Sequence, residues 1–113
     1  MSSRPKLALV TRHLNVPAGM GTYIRALLER LPAATPRARI TVYTDQAPDH
    51  PVKGLRYRVI PQGHRKRRAR VRELLWDQFD VPAVLREDDP DLVHWLHPNA
   101  PVSRVAPKQV ATV

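Results

Sequence analysis

The sequence predicts an α/β domain in which a mostly parallel sheet carries helices on its faces. Apolar runs of strand length alternate with helical periodicity, in the order strand–helix–strand–strand–helix–strand–strand. A polar loop with two glycines joins the first strand to the first helix. The chain of 113 residues is long enough for one such domain with a buried core.

The first unit consists of a strand, a glycine loop and an amphipathic helix. The apolar run LALV at 7–10 is typical of a central parallel strand. Apolar residues then recur at helical spacing, on Ile24, Leu27, Leu28 and Leu31. Thr22 is a candidate N-cap of this helix, and Pro32 is expected to end it.

Two strands follow the first helix. The segment RITVYT at 39–44 is rich in β-branched and aromatic residues. The segment LRYRVI at 55–60 alternates apolar and basic residues, which puts Arg56 and Arg58 on one face. We expect that face to be solvated, as at the edge of a sheet.

A second helical region leads to the last two strands. Its apolar stripe is expected on Val71, Leu74, Leu75, Gln78 and Phe79. Pro82 is expected to open a second short helix rather than lie inside the first. The fourth strand is predicted at 92–96, and a fifth begins near Gln109.

The composition excludes several classes of protein. The chain has no cysteine, which excludes disulfides, thiolate metal sites and cysteine nucleophiles. No apolar run is long enough for a signal peptide or a membrane span. The histidines lack metal-type spacing, and no two carboxylates are paired for acid–base chemistry. We therefore predict no metal site, no cofactor and no catalytic residue in this chain, and a cytoplasmic location.

The net charge of +9 is concentrated in one segment. Without the six basic residues of this segment the charge falls to +3; they are Arg65, Lys66, Arg67, Arg68, Arg70 and Arg72. The segment could be a solvated helix face, a surface for anionic lipid headgroups, or a nucleic-acid contact. It contains no aromatic residue on which bases could stack, which makes nucleic acid the weakest of the three.

Two loops follow strands at the sheet edge where ligands bind in open α/β folds. In the first loop, Gly19 and Gly21 would let the backbone approach a phosphate at the start of the helix. The segment GMG lacks both the third glycine of a dinucleotide fingerprint and the lysine of a P-loop, so its spacing alone favours a plain turn over a phosphate site. His13 in this loop, and His97 and Asn99 after the fourth strand, are candidate binding residues.

Several segments together resemble the N-terminal domain of family 4 glycosyltransferases. ALVTRHLNVPAGMGTYIRALLERL resembles the family's first strand, glycine motif and helix. RELLWDQFDVPAVLREDDPDLVHWLHPNAP is similar to the family's run from its LLWEQ segment to the proline loop after the fourth strand. KQVATV resembles the strand that leads into a His-Asp pair. The resemblance covers nearly the whole chain.

The resemblance implies the GT-B arrangement, in which two Rossmann-like domains face each other across a cleft. Members of the family transfer a sugar, with retention, from a nucleotide-sugar donor to a sugar or lipid-linked acceptor. Gly19 would contact the donor diphosphate and Gly21 would lie near donor and acceptor. His97 and Asn99 would line the acceptor pocket, and the basic segment would dock on an anionic membrane surface.

The sequence departs from the family pattern at its motif and at its end. Ala18 stands where the family usually has its first glycine. The His-Asp pair and the donor-binding C-terminal domain are absent from residues 1–113. We therefore expect a truncated acceptor-side domain that is inactive alone. The alternatives are a small basic module that binds nucleic acid or anionic membranes, and an antagonist or partner subunit that keeps only the acceptor half.

Overall fold

The computed structural model describes residues 5–12, 20–63, 68–96 and 108–111, and these form nine elements. The strands are β1 (Lys6–Thr11), β2 (Arg39–Thr44), β3 (Arg56–Val59), β4 (Leu92–Trp95) and β5 (Lys108–Ala111). The helices are α1 (Met20–Ala34), α2 (Ala69–Leu75) and α3 (Val81–Asp88), with a π-helical segment, Trp76–Asp80, between the last two. The predicted order of strands and helices is confirmed.

The five strands form one sheet in the order β3-β2-β1-β4-β5, and every neighbouring pair is parallel. Because successive side chains alternate between the faces, the sheet supports two cores. The core on the α1 side contains Leu9, Ile24, Leu28, Ile40, Val42 and Leu96. The core on the α2–α3 side contains Ala8, Val10, Tyr43, Ile60, Trp76, Val81, Leu85, Val93 and Trp95. The predicted three-layer, Rossmann-like α/β class is therefore confirmed.

Both predicted ends of α1 are wrong by a few residues. The helix begins at Met20, so Thr22 lies in its first turn and cannot be the N-cap. Pro32 lies inside the last turn, where its ring costs only one backbone hydrogen bond. The carbonyl of Leu31 accepts bonds from the Thr35 amide at 2.9 Å and the Thr35 hydroxyl at 2.8 Å, which carries the turn past the proline.

The connection from β2 to β3 packs on the α1 face without a helix of its own. Val52 and Leu55 lie against the α1-side core, and the Val52 amide donates to the Tyr57 hydroxyl at 2.9 Å. Gly54 has a φ of +93°, a conformation that favours glycine. A Cβ there would also lie 3.3 Å from the Pro32 side chain. β3 then forms one edge of the sheet, with Arg56 and Arg58 exposed as predicted.

The prediction of which residues form the apolar face of the second helix is wrong. Val71, Leu74 and Phe79 are exposed by 38%, 52% and 65%, whereas Trp76 and Asp77 are fully buried. The helix continues from α2 through the π segment into α3, and the wider π turn shifts the buried face away from α-helical spacing. Pro82 lies in the first turn of α3, as predicted, but this turn follows the π segment without a break.

Candidate functional site at the carboxyl edge of the sheet

The strand order reverses between β1 and β4, which lie side by side at the centre of the sheet. In open parallel sheets such a switch point forms a crevice beyond the carboxyl ends of the strands. We call this end of the sheet the carboxyl edge. β1 ends there at Thr11 and leads through the glycine loop to α1, which begins at Met20.

A cluster of three charges, of which Arg12 and Asp77 are almost fully enclosed, occupies the carboxyl edge next to β1. The guanidinium of Arg12 donates to both oxygens of Asp77, from Nε at 3.2 Å and from Nη2 at 3.1 Å. Its Nη1 lies 3.2 Å from Glu73 Oε2. The side chains of Arg12 and Asp77 are exposed by 8% and 0%, and that of Glu73 by 45%. This bidentate pair fixes Arg12, the first residue after β1, to the π-helical segment that contains Asp77.

The cluster arises from two local features of the sequence. Arg12 directly follows β1, which brings it to the carboxyl edge. Glu73 and Asp77 are four residues apart and therefore share one side of the helical region. None of these three residues was predicted from the sequence as part of a site. The signal available in the sequence was the four-residue spacing of the two acids within a helical segment, together with an arginine directly after the first strand.

Two further hydrogen bonds organise the carboxyl edge beside β2 and β3. Trp76 Nε1 donates to the carbonyl of Ile60 at 2.6 Å, which ties the π segment to the residue after β3. Gln62 Nε2 donates to Asp45 Oδ2 at 2.9 Å and so joins the loops after β2 and β3. The hydroxyl of Thr44, at the end of β2, is buried and has no hydrogen-bond partner in the part of the chain that the structure describes.

The sequence-predicted ligand residues fall mostly outside the described residues. Gly21 is the second residue of α1 and thus belongs to its first turn rather than to the loop. The remaining candidates of the two loops lie outside the described ranges; they are His13, Gly19, His97 and Asn99. His94, which we predicted as a strand residue, is half-buried in β4 beside Leu9 of β1. Desolvation lowers the pKa of His94 below its ordinary value of 6.5.

The basic segment is described only in its second half. Arg65, Lys66 and Arg67 lie outside the described residues. Arg68 and Arg70 are exposed at the start of α2, and Arg72 is half-buried. On the same helical region, Val71, Leu74 and Phe79 form an exposed set that we call the apolar stripe. Exposed apolar residues and arginines are therefore interspersed along this helical region.

Within the described ranges, no group of three or more histidine, aspartate or glutamate side chains could hold a metal ion. In the same ranges no helix is long and apolar enough to cross a membrane. Comparison with known proteins found no matching family model, no matching curated sequence and no matching solved structure.

Proposed function

We propose that this chain is the acceptor-side domain of a retaining glycosyltransferase of the GT-B type. The proposal rests on the sequence resemblance together with one structural observation. The two loops that the resemblance singles out follow β1 and β4, which are the two strands that flank the switch point. A ligand site in an open parallel sheet is expected between such loops.

In this proposal Gly19 and Gly21 approach the donor diphosphate, and the first amides of α1 favour its negative charge. His13, His97 and Asn99 contact the acceptor from the two sides of the switch point. The domain supplies positioning and charge stabilisation, while the donor nucleotide is held by a second domain. The isolated chain is therefore expected to show no transfer from nucleotide sugars, and product above background in such an assay would contradict this.

Arg12 acts as a positioning residue in the same proposal. Its side chain is nearly buried, donates two hydrogen bonds to Asp77 and forms an ion pair with Glu73, so it is committed to the helix rather than to a ligand. Because it directly precedes the glycine loop, its bonds to Asp77 anchor one end of that loop. Substituting Arg12 is thus expected to weaken ligand binding indirectly.

The first experiment examines the coding DNA downstream of residue 113 and then the transferase activity of the full gene product. An in-frame His-Asp pair and a later paired-glutamate motif would support the proposal. In that product, Gly19→Val is expected to lower transfer without lowering the unfolding temperature. Gly63→Val is the matched control, because a Cβ at Gly63 meets no atom of the described residues within 4 Å. Equal activity of both variants would mean that the glycine loop is a turn with no role in contacting the donor diphosphate.

We further propose that the α2 end of the domain docks on anionic membranes. The supporting observation is the apolar stripe of Val71, Leu74 and Phe79 among arginines. Arginines attract anionic headgroups, while exposed apolar side chains enter the boundary between headgroups and acyl chains. An apolar stripe has no comparable use on a phosphate backbone, so this feature favours the membrane over nucleic acid. The location would then be peripheral on the cytoplasmic face of a membrane.

Vesicle co-sedimentation tests the docking proposal. Binding is expected to anionic vesicles and to be much weaker with neutral ones. Leu74→Ser combined with Phe79→Ser should reduce binding, because both apolar contacts are lost while every arginine remains. Tyr23→Ser is a control for removing an exposed apolar side chain elsewhere, since Tyr23 lies on α1 and is exposed by 57%. Equal binding to neutral and anionic vesicles would contradict the proposal.

A further inference from the structure

A second concave surface lies at the opposite end of the sheet from the candidate site. It has a cavity volume of 390 Å³ and is formed where β1, β2 and β3 begin, next to the end of α3. We call it the amino-edge cleft. Its volume is within the range of pockets that hold small molecules, roughly 300–1,000 Å³.

The lining of the cleft carries four cationic side chains and one carboxylate. The cations are Lys6, Arg39, Arg56 and Arg58, and all four residues are exposed. The strand register explains why they converge. Lys6 pairs with Arg39, and Arg56 pairs with Thr41 two residues further along β2, so all three lie on one face of the sheet.

This arrangement of like charges is unfavourable without a counter-charge. Paired residues on neighbouring strands lie about 5 Å apart, and like charges at that distance repel. Lys6 and Arg39 are such a pair. The side chains of Lys6, Arg39 and Arg56 form no ion pair with any carboxylate in the described part of the chain. Asp91 is close to this edge, but it accepts from the backbone amide of Lys6 at 2.7 Å.

The single carboxylate of the lining is already occupied. Asp88 accepts a hydrogen bond from the Tyr43 hydroxyl at 2.8 Å and lies 3.6 Å from Arg58. Burial, followed by this hydrogen bond, raises the pKa of Tyr43, so its hydroxyl stays neutral. Asp88 therefore offsets Arg58, whereas the other three cations form no ion pair within the described residues.

We propose that the amino-edge cleft binds a small phosphorylated anion through Lys6, Arg39 and Arg56. Guanidinium groups bind phosphate oxygens in a bidentate manner, and three cations match a multiply charged phosphate better than a monocarboxylate. This site is independent of the proposed transferase function, because it lies at the other end of the strands and uses none of the same residues.

Isothermal titration of the 113-residue chain with pyrophosphate tests the proposal. We expect saturable binding with a stoichiometry of one. Arg39→Gln combined with Arg56→Gln is expected to weaken that binding by about tenfold or more, because each substitution removes a charge-assisted hydrogen bond. Both residues are exposed at the start of strands, and an unfolding temperature no lower than that of the original chain would verify that the double variant folds.

Arg30→Gln combined with Arg37→Gln is the matched control. Both arginines are exposed and lie outside the cleft lining, so the net charge falls equally. Equal weakening by the two double variants, or no saturable binding by the original chain, would overturn the proposal. A second arm uses vesicles that contain phosphatidic acid. Unchanged vesicle binding by the Arg39/Arg56 variant identifies a free phosphate as the ligand, whereas a parallel loss identifies a phosphate carried on a lipid.

Discussion

The two ends of the sheet use charge in opposite ways. At the carboxyl edge, Arg12 is enclosed and matched by Asp77 and Glu73. At the amino edge, Lys6, Arg39 and Arg56 are exposed and lack a carboxylate partner in the described residues. Buried charges need partners, because desolvation is otherwise too costly, whereas exposed charges tolerate their absence. The first arrangement therefore holds the fold, and the second is suited to a ligand.

The largest effect is expected from breaking the buried ion pair. Asp77→Ala should lower the free energy of unfolding by about 3–5 kcal/mol, because it leaves the Arg12 guanidinium buried without its bidentate partner. Urea denaturation measures this. Glu73→Gln is the control at the exposed side of the same cluster, with an expected loss of about 1 kcal/mol or less. Arg12→Met combined with Asp77→Leu should recover much of the stability, because no buried charge is then left without a partner. Equal losses of stability in Asp77→Ala and Glu73→Gln would contradict the expected difference between the buried and the exposed acid.

A smaller effect is expected at the hydrogen bond beneath the amino-edge cleft. Tyr43→Phe should cost about 1 kcal/mol, since Asp88 loses its donor but remains partly solvated. Tyr23→Phe is the control, because Tyr23 is exposed on α1. Thermal or urea unfolding of both variants measures the difference. If Tyr43→Phe also leaves pyrophosphate affinity unchanged, the tyrosine serves the fold rather than the cleft.

A pH-dependent effect is expected in the middle of the sheet, between the two edges. Because desolvation lowers the pKa of His94 in the folded state, the unfolded chain binds the proton more readily. Stability should therefore fall as the pH drops below the ordinary value of 6.5. His94→Gln should flatten this fall, as measured by unfolding temperatures at about pH 5.5 and about pH 7.5. His50→Gln, at an exposed loop position, should leave the fall in stability with decreasing pH unchanged. If the unfolding temperature fell equally in the original chain, in His94→Gln and in His50→Gln, His94 would be excluded as the cause.

The smallest effect on stability is expected at the cations of the cleft. Arg39→Gln combined with Arg56→Gln should raise the free energy of unfolding by a few tenths of a kcal/mol at low ionic strength, because repulsion is relieved. The gain should vanish in high salt, since these exposed charges are screened. Arg30→Gln serves as the control. A salt-independent change would mean that the arginines act through packing and not through charge.

The sequence predicted the fold more fully than the candidate site. The apolar run at 7–10 identifies a buried strand, and the helical spacing of Ile24 and Leu28 identifies a helix that packs on the sheet. Neither assignment depends on the details of packing. The position of the two loops at the carboxyl edge was also predictable, since loops that follow parallel strands lie at that edge; the strand order that brings β1 beside β4 was not. The partnership of Arg12 with Asp77 was not, because it joins residues 65 positions apart in the chain.

By itself, the sequence determined the α/β class, the order of the elements and the exposure of Arg56 and Arg58 at the sheet edge. These follow from local periodicity and from the solubility of each side chain. The tertiary structure decided which face of the second helix is buried, because the π segment changes the helical spacing at Trp76. It also decided that Lys6, Arg39 and Arg56 converge, since strand register is a property of paired strands and not of any one segment.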